Sequence, residues 1–246
     1  MGENAVKREL KDRIKALLKR LGYILVPTFL YRELIDFIQD RAVDVVIDVG
    51  ANFGQFGESL RAKGYRGRII SFEPVEASFQ ILSRKAAGDD KWQVHQCGLG
   101  AAAGEAVINV SAASDFSSIL KTSRAATEFN ERAAVARTEM IKIKTLDEVA
   151  ADLTGNILLK IDTQGYERYV IEGGRTTLQR VKGVSMELPL IHLYEGNWKF
   201  HEAVKYMDDA GFVPAQIHPT NYHPKDRTSL VEVDCLFRPQ ELHRSA

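Results

Sequence analysis

The chain is poor in cysteine: two in 246 residues, Cys97 and Cys235, far apart and in no CxxC arrangement. That excludes a disulfide framework and a cysteine zinc site, and it reads as two core thiols in a reducing cytoplasm. Charge of one sign is not in excess, because 33 Lys and Arg balance 33 Asp and Glu. Nucleic acid is therefore not the expected partner, since phosphate binding draws on a surplus of positive charge. The six histidines show no HxH or HExxH spacing, so no metal is implied. No apolar run approaches the ~20 residues of a membrane span. Residues 1–20 lack the continuous apolar core of a secretory signal. No repeat or low-complexity segment appears.

What is present is an ordinary globular composition, 45% hydrophobic, at a length suited to one decorated α/β domain. Residues 4–21 read as an amphipathic helix with Leu10, Ile14, Leu17, Leu18 and Leu21 on one face and seven Lys or Arg around the rest. This is either a helix packed on the domain edge or one that meets a membrane surface or a partner. Pro27 breaks the chain, and Phe29–Ile38 reads as a second helix. Residues 1–42 thus form a helical extension to a domain over 43–246. In that domain strands are expected at Val43–Val49, Gly67–Phe72, Trp92–Cys97, Gly104–Ser111, Met140–Lys144, Ile157–Ile161, Val181–Leu188, Phe212–Ile217 and Ser229–Phe237. Helices are expected at Gly54–Ala62, Glu76–Ala87, from Thr145, at Tyr166–Ile171 up to Gly173-Gly174, and at Trp198–Asp209. Residues 112–138 lack apolar periodicity and read as a functional lid or a mobile loop. Strands separated by helices predict an α/β, Rossmann-like, doubly wound and mostly parallel sheet, with room for one antiparallel edge from the two late strands.

The most informative stretch is Val45-Val-Ile-Asp48-Val-Gly50-Ala-Asn52-Phe53-Gly54, followed by Ser71-Phe-Glu73-Pro74. An apolar run ends in an acid and a Gly turn, and a second ends in Glu 23 residues after Gly50. That is the layout of a nucleotide-type cofactor pocket at the mouth of a parallel sheet. A dinucleotide turn needs Gly at its first, third and sixth positions, which here are Gly50, Asn52 and Gln55. No Tyr has a Lys four residues later, and GxxxxGK[ST] is absent. NAD and ATP are disfavoured. An acid beside the turn suits a ligand carrying an ammonium group there, as S-adenosylmethionine (SAM) does. Gly50 and Gly54 allow close backbone approach, and Glu73 can accept hydrogen bonds from both ribose hydroxyls. Gly98 and Leu99, just past the third strand, fall near the adenine.

Asp48-Val-Gly-Ala-Asn-Phe-Gly54 resembles motif I of class I SAM-dependent methyltransferases. Together with Phe72-Glu-Pro74, Thr145-Leu-Asp147, Leu159-Lys-Ile-Asp162-Thr-Gln164-Gly-Tyr166-Glu167 and Met186-Glu187, the chain resembles the FkbM family from about Val43 to about Phe237. The resemblance implies O-methylation of hydroxyls on sugars, polyketides and other secondary metabolites or glycoconjugates. Many members carry Glu where this chain has Gln164, which removes a carboxylate from the site rim.

An alcohol acceptor needs a base within hydrogen-bond reach. Asp162, at the end of the fourth long strand, is a candidate for the cofactor's methionine part or for the acceptor, and alternatively caps the following helix. Glu187, an acid in an apolar strand, and His192, in the next loop, are the other candidate bases. Lys160 and Glu167 are expected to pair across the turn. Phe53, Phe116 and Tyr166 are aromatic candidates for the sulfonium site. Rival readings are N- or C-methylation, a non-catalytic SAM-binding protein, and a dehydrogenase.

Overall fold

The computed structural model describes residues 14, 17–18, 20, 33–112, 114–123, 126–127, 131–223, 225–226 and 228–240. The chain divides into two compact units, residues 1–37 and 38–246. In the first, Ile14, Leu17, Leu18 and Arg20 are helical. The remaining positions of the helix expected over 4–21, and Phe29–Arg32 of the second, lie outside the described residues. Helix α1 (Leu34–Asp40) carries the chain into the second unit and extends two residues past the expected Ile38. Among the described residues no helix is long and apolar enough to cross a membrane.

The second unit alternates strand and helix: β1 (Val45–Val49), α2 (Gln55–Ala62), β2 (Arg68–Phe72), α3 (Glu76–Ala86) and β3 (Trp92–His95). Then come β4 (Gly98–Leu99), β5 (Gly104–Ser111), β6 (Val135–Lys144), α4 (Leu146–Ala150) and β7 (Ile157–Ile161). The chain ends with α5 (Glu167–Glu172), α6 (Arg175–Leu178), β8 (Val181–Pro189), α7 (Phe200–Asp209), β9 (Phe212–Tyr222) and β10 (Leu230–Pro239). The main sheet has seven strands in the order β3-β2-β1-β7-β8-β10-β9. Its first five run parallel, because helical crossovers link them. β1 and β7 are apolar almost throughout, as strands covered on both faces must be. One face packs against α4–α7 through Ile47, Leu159, Ile161, Val170, Ile171, Met186 and Met207.

The antiparallel strand is β10, and it is not the edge. It pairs antiparallel with both β8 and β9, which puts it one place in. The link of residues 223–229 is too short for a crossover, so β9 and β10 form a hairpin. β10 is buried along most of its length, whereas β9 is largely exposed and carries Pro214 and Pro219. Missing backbone donors suit an edge strand.

A second, three-stranded sheet has the order β4-β6-β5. The strand expected at Met140–Lys144 starts five residues earlier, at Val135, because it pairs along β5 rather than burying its own first half. Trp92–Cys97 also resolves differently: β3 stops at His95, and Gly98–Leu99 moves to this smaller sheet beside Ile143 and Lys144. Thr145 caps α4 by accepting from the Glu148 amide. The Glu148 carboxylate lies 3.7 Å from Lys144 rather than closing the box. Gly173 ends α5 without a left-handed turn; a Cβ there would overlap the Gly100 carbonyl oxygen, so close chain approach explains it.

Candidate active site

Strand order reverses between β1 and β7, and the cleft opens there, at the C-terminal strand ends. Gly50 leaves β1 with φ 78°, a conformation glycine takes without strain. Its amide donates to the Phe72 carbonyl (3.0 Å), and Asp162 N donates to the Val49 carbonyl (3.0 Å). A Cβ on Gly50 would overlap the Asp162 carbonyl oxygen. The turn therefore locks three strand ends, β1, β2 and β7, around one small residue.

The cleft has a volume of ≈ 660 Å³ including its open mouth. Val49, Gly50 and Phe72 form its floor. Glu73, Pro74, Val75, Gly98, Leu99, Ile108 and Ile119 line it, as do Asn52, Asp162, Thr163, Gln164 and Tyr166. Ser114, Asp115 and Ser117 complete the wall. Thus Gly50, Asn52, Glu73, Pro74, Gly98, Leu99 and Asp162 are brought together here. Phe53 and Gly54 are not on this wall; Gly54 packs on Leu82 and Trp92, while Phe53 lines a neighbouring cavity.

Glu73 is 5% exposed, and its two oxygens accept from Asn52 N (2.8 Å) and Val75 N (2.9 Å). Burial pushes its pKa up to about 7 against those two amides. Each oxygen keeps acceptor capacity.

Asp48 is fully buried and does not line the cleft. It points sideways along the sheet: Oδ2 accepts from Ser71 Oγ (3.0 Å), which accepts from Trp92 Nε1 (3.0 Å). Its Oδ1 lies 3.5 Å from Lys160 Nζ. β1 and β7 are in register at Asp48 and Lys160, so the two side chains emerge beside each other. Lys160 reaches on to Asp162 Oδ2 (3.2 Å) and lies over the Phe56 ring at 5.3 Å. Burial lowers its pKa, but Asp162 and Asp48 outweigh that and the net shift is upward.

Lys160 therefore does not pair with Glu167. The Glu167 carboxylate turns into its own loop, where Oε1 accepts from Thr163 N (3.0 Å), Thr163 Oγ1 (3.1 Å) and Gly165 N (3.1 Å). It holds that turn, and Asp162 is left out of any helix-capping role. Asp147 is likewise structural, accepting from Thr176 N, Thr177 N and Thr177 Oγ1 ahead of α6.

Gln164, at φ 54°, joins the remaining groups. Its Nε2 donates to Asp162 Oδ1 (2.9 Å) and to Glu187 Oε2 (3.2 Å), and its Oε1 accepts from Tyr194 OH (2.8 Å). Glu187 is not on the cleft wall but behind this amide. Burial, then the charges of Asp162, Glu232 and Asp234, push it up to about 9. His192 is exposed and off the wall, with Nδ1 2.6 Å from Asn197 Oδ1. The segment 114–123 forms a strap along the cleft. Ser118 exchanges backbone bonds with Asn109 of β5, and its Oγ donates to the Gln164 carbonyl (2.7 Å). Ser123 N donates to the Leu193 carbonyl (2.8 Å). Ser71 stands in the Ser71–Pro74 motif and Ser118 in the loop expected over 112–138, whereas Tyr194 was not singled out by the sequence. Ser71 had a signal in its parity with Asp48 across β1 and β2, whereas Tyr194 had none. Among the described residues no group of three or more His, Cys, Asp or Glu is spaced to hold a metal ion.

The sheet order, the Gly50 turn and Glu73 at the next strand tip define a Rossmann-like domain of the methyltransferase type. The comparisons agree: a model of the FkbM methyltransferase domain matches residues 48–214, and the chain belongs to that family. It is 30% identical over 100 residues to the methyltransferase sdnD of Sordaria araneosa, covering 35% of this chain and 38% of that protein. The crystal structure of an FkbM methyltransferase from Methylobacillus flagellatus has a similar fold, with TM-score 0.51 at 16% identity over 80% of this chain and 43% of that one. The chain spans about two fifths of the length of these two relatives.

Proposed function

We propose that the domain binds SAM in this cleft and transfers its methyl group to a hydroxyl oxygen of a sugar, a polyketide or a related secondary metabolite. The observation that carries the reading is a pair of carboxylates on the wall of one cleft, Glu73 and Asp162. Glu73 is held by two amides with its oxygens still able to accept, which suits a ribose diol. Gly50 keeps the floor clear where a side chain would close it. The apolar lining of Pro74, Val75, Leu99 and Ile108 suits an adenine. Bound SAM supplies an electrophilic methyl group on a sulfonium.

Asp162 is the base in this reading. It takes the acceptor proton as the acceptor oxygen forms the new C–O bond, and the pair from the broken S–C bond stays on sulfur. Asp162 is the candidate base on the cleft wall; Glu187, protonated at neutral pH, serves instead to anchor Gln164. Thr163 and Gln164 would orient the acceptor, and Ser114, Asp115 and Ser117 would shield it from water.

The test is calorimetric titration with SAM, followed by transfer of isotopically labelled methyl from SAM to a panel of hydroxylated sugars and polyketides. The reading predicts saturable binding and labelled ethers. Binding without product on any acceptor favours a non-catalytic SAM-binding protein. Product labelled on nitrogen or carbon replaces the O-methyl assignment, and binding of NAD in place of SAM overturns the reading.

A further inference from the structure

Asp162 sits among carboxylates. Its charge adds to the upward shifts of Asp48, Glu167, Glu187, Glu232 and Asp234. The ammonium in contact with it is that of Lys160, 3.2 Å away. Lys160 is nearly enclosed, at 14% side-chain exposure, and three features take its directions: Asp162, Asp48 and the Phe56 ring. Asp48, for its part, has both oxygens turned to Ser71 and Lys160 and no exposed surface. A ligand ammonium reaches Asp48 only by displacing Lys160.

We propose that Lys160 is a positioning residue that holds the Asp162 carboxylate turned to the cleft, and that Asp48 serves as the second counter-ion of Lys160 rather than as a ligand of the methyl donor. The proposal rests on the SAM reading above and assigns its cationic end to Asp162 alone. The geometry divides the two acids of the sequence motifs by role. One is a buried partner that fixes where the lysine goes, and the other is the charge the lysine presents. A buried lysine with a single carboxylate would leave an uncompensated charge whenever Asp162 took a proton, and Asp48 removes that cost.

The experiment is calorimetric titration of SAM and of S-adenosylhomocysteine at pH 6 and pH 8, on the wild type, Asp48→Asn and the double variant Asp48→Asn/Lys160→Met, with thermal melts to confirm folding. The double variant removes opposite charges together, so no unpaired buried ion is left from that pair. Asp48→Asn is expected to melt earlier yet bind both ligands within about threefold of wild type, because the Lys160–Asp162 pair survives. The double variant is expected to lose about tenfold or more of its SAM affinity relative to wild type at both pH values, because the carboxylate that receives the ligand ammonium is no longer held toward the cleft. Comparison at the same pH cancels the titration of Glu73, which all three proteins share. A merely structural lysine would lower the melting temperature of the double variant and leave the SAM affinity of the folded protein unchanged, and that result overturns the proposal. So does a loss in Asp48→Asn as large as in the double variant, which would put Asp48 on the donor. Wild type that binds neither ligand overturns the SAM reading and this inference together.

Discussion

At the scale of single residues, Glu73 carries the sharpest consequence. A carboxyl raised to about 7 by burial is half protonated at neutral pH, and only the ionised form offers all its lone pairs to a diol. SAM affinity is therefore expected to rise between pH 6 and pH 8 in wild type. Glu73→Gln should weaken binding at pH 8 by about 1.5–3 kcal/mol, as for a hydrogen bond to a charged group, and should flatten the pH dependence. Calorimetry at the two pH values checks both; unchanged affinity in the variant removes Glu73 from the site. Glu73 was legible because an acid ending an apolar strand, 23 residues after Gly50, has few structural uses. Asp48 was legible as important but not as buried. Its partner is 112 residues away, and only the β1–β7 register brings Lys160 beside it. The expected Lys160–Glu167 pair failed for a related reason. Strand parity sends Lys160 toward β1, while the amides of Thr163 and Gly165 satisfy Glu167 locally.

Elements were most legible where burial alone dictates pattern. β1 and β7 read as near-continuous apolar runs because helices cover both their faces. β6 was half hidden, since its first four residues are exposed and carry no apolar alternation, and β4 is too short, at two residues, to leave any period. Much of the loop expected over 112–138 is structure held by pairing rather than by side-chain pattern. The strap is pinned by Asn109–Ser118 and Ser123–Leu193 backbone bonds, which no residue type announces. Glycines provide the test at this scale. Gly50→Ala must meet both a positive φ and overlap with Asp162, whereas Gly64→Ala, at φ 92° with nothing within 4 Å, meets only the first. Gly64→Ala should cost about 1–2 kcal/mol. Gly50→Ala should cost clearly more and abolish SAM binding. Thermal melts and titration decide it, and equal costs would mean that the β1–β7 junction is slack.

For the molecule as a whole, burial raises Asp48, Glu73, Glu167, Glu187, Glu232 and Asp234, so the folded chain gives up these protons later than the unfolded one. Glu73 and Glu167 are raised to about 7 and Glu187 to about 9, burial being the first cause in each. Between the ordinary glutamate range and those values the folded state binds more protons than the unfolded one, so stability falls as pH rises through that window. The unliganded protein should melt at a higher temperature at pH 5.5 than at pH 8.5, and Glu187→Gln should narrow the gap; a melting point that climbs with pH contradicts this. Of the last three, Glu73 lines the cleft, Glu167 holds the turn that follows Asp162, and Glu187 stands behind Gln164.

The central claim is that one cleft at the β1–β7 switch point receives the methyl donor between Glu73 and Asp162. A crystal structure of the complex with S-adenosylhomocysteine tests it most directly. The account predicts its ribose hydroxyls on Glu73, its adenine against Leu99 and Ile108, and its amino-acid end beside Gly50 and Asp162. Ligand density elsewhere, or a bound nucleoside with Glu73 turned away from its ribose, would contradict the account.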